Sequence, residues 1–236
     1  SEAVSLGADK VYAIQHPLLQ GPGIDLHVAA AEQLCRRVAP SVVLVDRTPL
    51  GRDLGPRLGF RLGVAVAQDC LEVTLHAETG RLVATRPVYG GNAMARVTFA
   101  GEGPQVALVR TKAYEPLEAD PSRTGDVEPF DVQLDPSLVK AKVVETVRRE
   151  SEGVRLEDAS VVVGGGRGMG GSEPFQVLEE LAQTLGGAIG ASRAVCDAGW
   201  LDHSYQIGLT GKAITPDLYI TVGISGASQH MAGCSG

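Results

Sequence analysis

Residues 160–168 read Ser-Val-Val-Val-Gly-Gly-Gly-Arg-Gly, an apolar run that opens without a spacer into glycines. Such an unbroken run suits a strand buried on both faces, and the glycines let backbone approach something closely. A helical stripe follows, with Phe175, Leu178, Leu181, Ala182 and Leu185 on one face of 175–185. Ser172 or Glu173 is placed to cap that helix and Gly186-Gly187 to end it. Ala188–Ile189 begins another strand, and Leu218–Val222 is a third buried-type run, opening into Gly223-Ile224-Ser225-Gly226. Strand, glycine turn, helix, strand is the unit of a doubly wound parallel sheet, which holds ligands where strand C-termini meet such turns.

The first half alternates in the same way. Val11–Ile14 and Ser41–Val45 read as strands, the latter as a parallel strand covered on both faces. Ile24–Ala39 is helical, with Leu26, Ala30 and Leu34 on one stripe. Leu50, Leu54, Leu58 and Leu62 recur every four residues and predict a helix packing through leucines. Its other faces hold Arg52, Asp53, Arg57 and Arg61, which read either as a solvated face or as a docking face for an acidic partner. Strands are expected at 64–66, 72–76, 81–85, 95–99 and 105–110, with a turn at 78–80. The acidic, proline-rich stretch 115–137 reads as a surface excursion, 138–147 as a closing strand or helix, and 148–158 as a linker. The fold class is therefore α/β with two doubly wound parallel-sheet domains, 1–153 and 154–236.

Glycine is the compositional outlier, 30 of 236 residues, without the period of collagen. The net charge of −7 argues against nucleic-acid binding, which needs a clustered positive face. No apolar run approaches the ~18 residues of a membrane helix, so no membrane insertion is expected. Cys35, Cys70, Cys196 and Cys234 are far apart and form no C-x-x-C pair, which points to a reduced intracellular protein without a zinc knuckle. The N-terminus lacks a signal-peptide pattern, and both ends read as those of a longer chain that has been cut.

Four segments could carry chemistry. In 161–171, a glycine turn before a helix brings N–H groups to an anion and Arg167 adds a fixed cation; the plainer reading is a tight turn with a surface arginine. In 190–199, Ser192 and Arg193 follow a strand, while Cys196 and Trp200 read as packing residues. In 206–212, Gly208 and Gly211 bracket Thr210, a ligand clamp or only a turn. In 223–230, Ser225, Gly226, Ser228, Gln229 and His230 follow a strand read as buried, with a cationic or hydrogen-bonding role open to the histidine. From Ala159 onward the only Lys/Arg residues are Arg167, Arg193 and Lys212, all inside or beside these glycine motifs, against six acids. That placement suits an anionic ligand spanning several loops, such as a dinucleotide. A pyridine-nucleotide oxidoreductase domain binding NAD(P) is the rival reading, and a structural, cofactor-free subunit a third.

Together, GGRG at 165–168, GASRAVCDAG at 190–199, GLTGK at 208–212 with Pro216–Tyr219, and GISGASQH at 223–230 resemble the alpha subunit of electron-transfer flavoproteins. LGADKVYAI at 6–14, TPLGRDLGPRLG at 48–59 and TRPVYGGNA at 85–93 resemble its N-terminal domain. The resemblance implies a nucleotide-binding-like N-terminal domain for subunit interaction. It implies a C-terminal FAD domain, here incomplete, of the deoxyhypusine-synthase-like NAD/FAD-binding type. It further implies a heterodimer with an electron-transfer flavoprotein beta subunit. Such a carrier takes electrons from acyl-CoA or other dehydrogenases, as in fatty-acid β-oxidation, and passes them singly to a quinone oxidoreductase or another acceptor. The expected location is the cytoplasm of a bacterium, or the mitochondrial matrix in a eukaryote. Carried over residue by residue, the cofactor contacts are Arg167, Ser192, Arg193, Ile207, Gly208, Leu209, Thr210, Ser225, Gly226, Ala227, Ser228, Gln229 and His230, with no catalytic or metal residue. Leu209 stands where the family has Gln. Arg193 and His230 beside the flavin would favour its anionic forms.

Overall fold

The computed structural model describes residues 2–21, 23–139, 141, 143–145 and 154–234. The chain divides into two compact units, Ser1–Arg86 with Ala95–Val147, and Pro87–Met94 with Arg148–Gly236.

The first unit contains α1 (Glu2–Ser5), β1 (Lys10–Ala13), α2 (Ile24–Val38), β2 (Val42–Asp46), α3 (Pro49–Leu62), β3 (Val66–Cys70), β4 (Glu72–Leu75), most of β5 (Leu82–Val88) and of β6 (Ala93–Thr98), β7 (Gln105–Val109) and β8 (Asp126–Pro129). A parallel sheet runs β2-β7-β3. β7 is its centre, with Val106, Ala107 and Leu108 fully buried. β2 lies at the edge, so Leu44 is 54% exposed rather than covered on both faces as its composition suggests. A second sheet, β4-β5-β6, is built on an antiparallel β4–β5 hairpin.

Helix α3 forms where the leucine spacing places it, but of the four leucines only Leu58 is buried. Its buried residues are Gly51, Gly55, Leu58 and Gly59, and Leu50 is exposed. A Cβ at Gly51 would collide with the Asp46 carbonyl oxygen, at Gly55 with Leu108, and at Gly59 with Val66. The glycine stripe, one residue along from the leucines, brings the helix axis close to the sheet. Thr48 caps the helix, its Oγ1 accepting from Gly51 N at 3.2 Å. Two of its arginines are engaged within the chain: Arg57 pairs with Asp25 at 2.9 Å and Arg61 with Glu32 at 3.3 Å, both on α2.

The excursion 115–137 hides a strand. β8 runs parallel to β1, with all four of its residues exposed. It is held by the backbone ladder and by Lys10–Glu128 at 2.6 Å, and Arg123–Asp9 at 2.7 Å lies just before it. No apolar alternation marks it, so periodicity has nothing to detect. The expected closing element at 138–147 falls partly outside the described residues. A single 3-10 turn at Pro136–Leu138 precedes irregular chain there. Within 148–158, the described part is no mere linker: Leu156 is 5% exposed and joins Val162, Ala188, Ile207 and Ile214 in a core cluster.

The second unit is one four-stranded parallel sheet in the order β11-β10-β9-β12, formed by β9 (Val161–Gly165), β10 (Ala188–Ser192), β11 (Gln206–Ile207) and β12 (Leu218–Val222). Helix α4 (Phe175–Thr184) buries Phe175, Leu178 and Ala182 against it, leaving Leu181 and Leu185 exposed. Pro174, not Ser172 or Glu173, occupies the N-cap position, and no side chain caps the helix. Two short helices complete the unit, α5 (Arg193–Asp197) and α6 (Ser228–Met231). Cys196 and Trp200 are packing residues as expected, Trp200 lying edge-on to Phe175 at 6.3 Å. β12 is an edge strand whose Leu218 and Val222 are exposed, not the buried strand its composition suggests.

Candidate functional site

The four parallel strands point their C-terminal ends one way, and each glycine motif follows one of them. Order reverses beside β9: β10 lies on one side and β12 on the other. There the turns after β9 and β12 interlock. Gly166 N donates to the Val222 carbonyl at 2.8 Å and Gly168 N to the Gly223 carbonyl at 3.0 Å. A Cβ at Gly168 would stand 2.9 Å from Gly223 Cα, and one at Gly166 would overlap the Gly223 carbonyl. Only glycine permits this crossing of backbones, at the reversal point where open α/β sheets bind ligands.

The 206–212 loop is tied to the 223–230 turn in the same way. Leu209 N donates to the Gln229 carbonyl at 2.7 Å, and Gly208, at φ 137°, would meet that carbonyl at 2.8 Å if it carried a Cβ. The result is a cavity of about 730 Å³. Of the thirteen candidate residues, Arg167, Ser192, Arg193, Ile207, Gly208, Leu209, Thr210, Ser225, Ala227, Gln229 and His230 line it. Gly226 and Ser228 do not. Gly168, Ala194, Asp197, Gln206, Gly223 and Ile224 line it as well.

The cations divide. Arg167 is exposed and its guanidinium has no hydrogen bond or ion pair among the described residues. Arg193 opens α5 and pairs with Asp197 one turn on, at 3.2 Å. Lys212 is not part of the cavity: its Nζ pairs with Glu157 at 2.9 Å. A charge census begun at Ala159 misses that acid by two residues.

Gln206 is the contributor that motif reading passed over. It is 5% exposed, accepts at Oε1 from His203 Nδ1 at 3.0 Å, and donates from Nε2 to Thr210 Oγ1 at 2.9 Å. The Thr210 hydroxyl proton is thereby left free to face a ligand. A buried glutamine flanking a Gly-x-Thr loop was the available signal.

His230 is 7% exposed. Its Nε2 lies 2.8 Å from the Tyr219 hydroxyl, and its buried Nδ1 has no partner among the described residues. Burial pushes its pKa below the usual histidine value, with the Ile207 backbone carbonyl opposing. Burial thus disfavours the charged ring, which favours the hydrogen-bonding role over the cationic one.

A parallel sheet with glycine turns crossed at its reversal point, and with cations and hydroxyls around one cavity, is the dinucleotide-binding class of α/β domain. Comparison with known proteins narrows this. Residues 1–135 match the electron transfer flavoprotein domain, and residues 155–235 match the electron transfer flavoprotein FAD-binding domain. The chain is 40% identical over 234 residues to an electron transfer flavoprotein subunit alpha of Thermoanaerobacterium thermosaccharolyticum, covering 99% of this chain and 71% of that protein. It is 40% identical over 235 residues to the same subunit of Bacillus subtilis, covering 99% and 70%. It is 34% identical over 232 residues to the lactate dehydrogenase (NAD(+),ferredoxin) subunit LctC of Acetobacterium woodii, covering 98% and 55%. The chain belongs to the electron transfer flavoprotein alpha-subunit family, and the cofactor of its C-terminal domain is FAD.

The residues present fit that cofactor. The cavity lies at the sheet's reversal point, Arg167 is an unpaired cation for a phosphate, and the orphaned His230 Nδ1 awaits a partner.

Proposed function

We propose that this chain is the FAD-carrying half of a heterodimeric electron carrier, completed by an electron-transfer flavoprotein beta subunit. It accepts electrons from acyl-CoA or other dehydrogenases and passes them singly to a quinone oxidoreductase or another acceptor, in the cytoplasm of a bacterium. The chain is a carrier rather than an enzyme by itself. The observation carrying this reading is that four separate motifs converge on one cavity at the strand ends of one unit. Bound FAD supplies the one-electron chemistry. The chain's own part is to hold and orient: Arg167, beside Gly168 and Gly223, receives phosphate, while Ser192, Arg193, the 207–210 loop and the 225–230 turn receive the rest. Among the described residues no helix is long and apolar enough to cross a membrane, so a membrane acceptor would be reached by docking.

The test is co-expression with the beta subunit, followed by stepwise reduction of the purified complex. Retained flavin bands, with electrons taken from a dehydrogenase and delivered to a one-electron acceptor, are the expected result. A colourless complex that stays colourless after incubation with FAD refutes the reading.

A further inference from the structure

The Tyr219–His230 pair is built with more care than a cavity wall requires. Tyr219 lies in β12 and His230 in α6. The two rings are stacked, with centroids 6.0 Å apart at 26°, and the hydroxyl lies 2.8 Å from Nε2. Room for the hydroxyl is made by Gly164 of β9, where a Cβ would collide with the Tyr219 oxygen. The phenol has no other hydrogen-bond partner among the described residues, and His230 Nδ1 has none of hydrogen-bond geometry, although the Ile207 backbone lies close enough to act on the ring.

Proton counting decides the arrangement. A neutral imidazole carries one N–H and one lone pair. With the proton on Nε2, the ring donates to the phenol oxygen, which leaves the phenol proton without an acceptor and the Nδ1 lone pair without a donor. With the proton on Nδ1, the phenol donates to Nε2 and only the Nδ1–H is unmet. Each buried group left unmet costs stability, so the second arrangement is favoured. His230 lines the cavity, so the remaining donor belongs to a residue beside the space a ligand would take.

Resting on the FAD reading above, we infer that Tyr219 is a positioning residue: its hydroxyl donates to His230 Nε2 and holds the ring proton on Nδ1, so that His230 meets the cofactor as a neutral N–H donor. Ring-nitrogen NMR of the 15N-labelled protein, with His230 assigned by its loss in His230→Asn, reads the tautomer directly and needs no flavin. Wild type is expected to show Nδ1–H, and Tyr219→Phe to lose that preference and bind FAD about tenfold more weakly by flavin fluorescence. An Nε2–H tautomer in wild type, or an unchanged tautomer or FAD affinity in Tyr219→Phe, overturns the inference. Should Tyr219→Phe fail to fold, two substitutions in the native background decide. His230→Asn, whose amide nitrogen falls near the Nδ1 position, should keep more FAD affinity than His230→Gln, whose amide reaches toward Nε2. The reverse order overturns it. A wild-type protein with the expected tautomer but no FAD binding at all refutes the FAD reading alone.

Discussion

The residues around the cavity differ in what they have already spent on the chain itself. Arg193 is engaged with Asp197, whereas the Arg167 guanidinium has no partner among the described residues. Arg167→Ala should therefore weaken FAD binding without lowering stability. Because the guanidinium is exposed, its contact belongs at the low end for charged hydrogen bonds, about 1–2 kcal/mol, or roughly 5- to 30-fold in affinity. Flavin titration of the intact heterodimer measures this, and equal affinity would remove Arg167 from the site. His230 is the opposite case, buried and neutral, with its pKa depressed by burial. In the unfolded chain a histidine takes up a proton near pH 6.5, while the folded ring resists to lower pH. Between those values the unfolded state binds more protons, so stability is full above about pH 6.5 and falls as pH drops toward the folded value. Denaturant midpoints between pH 7.5 and 5.5 should decline in the wild type and decline less in His230→Asn. Identical slopes would mean that the buried imidazole is not the group responsible.

Among the elements, α3 shows how a pattern can be right about type and only partly right about face. Its leucine spacing predicts a helix, and a helix is there, but the sheet-facing stripe is Gly51, Gly55 and Gly59. Helix propensity favours Gly→Ala by about 1 kcal/mol. At Gly51, however, the new methyl would meet the Asp46 carbonyl, part of the backbone of β2 and unable to swing aside. Gly51→Ala should destabilise the first unit by about 1–3 kcal/mol, as overpacking does. A neutral or stabilising result in denaturant unfolding would show that helix and sheet separate more easily than this packing implies. Just beyond β2 and β7 stands a charged knot of similar character. Burial alone would raise the Asp69 carboxyl, but Arg110, bidentate at 2.9 Å, together with Arg47 and Arg86, holds it below the usual range. Asp69 sits at φ 60°, where β3 slips register against β7.

For the molecule as a whole, the cavity is lined entirely by the second unit, Pro87–Met94 with Arg148–Gly236. FAD at a hundredfold over its dissociation constant should stabilise that unit by about 2.7 kcal/mol. Calorimetry is expected to show the transition of the second unit rising with FAD while that of the first stays in place. A shift shared equally by both would mean that they unfold as one. Sequence alone determined the features that depend on near neighbours: strand runs, helical stripes and the glycine turns that follow them. It thereby pointed to the four segments that line the cavity, because a glycine turn after a parallel strand emerges at the sheet's C-terminal edge, while the family resemblance supplied the list of which eleven residues line it. Tertiary structure decided what depends on distant chain. It placed β8 beside β1 through backbone bonds that no side-chain pattern records, and it sent Lys212 to Glu157 and away from the cavity. It set Gln206 behind Thr210 and seated the Tyr219 hydroxyl in the space over Gly164. The physical reason is common to all of these. Periodicity reports which face of an element is apolar, but hydrogen bonds and ion pairs form wherever folding brings their partners together, at separations along the chain that no local pattern encodes.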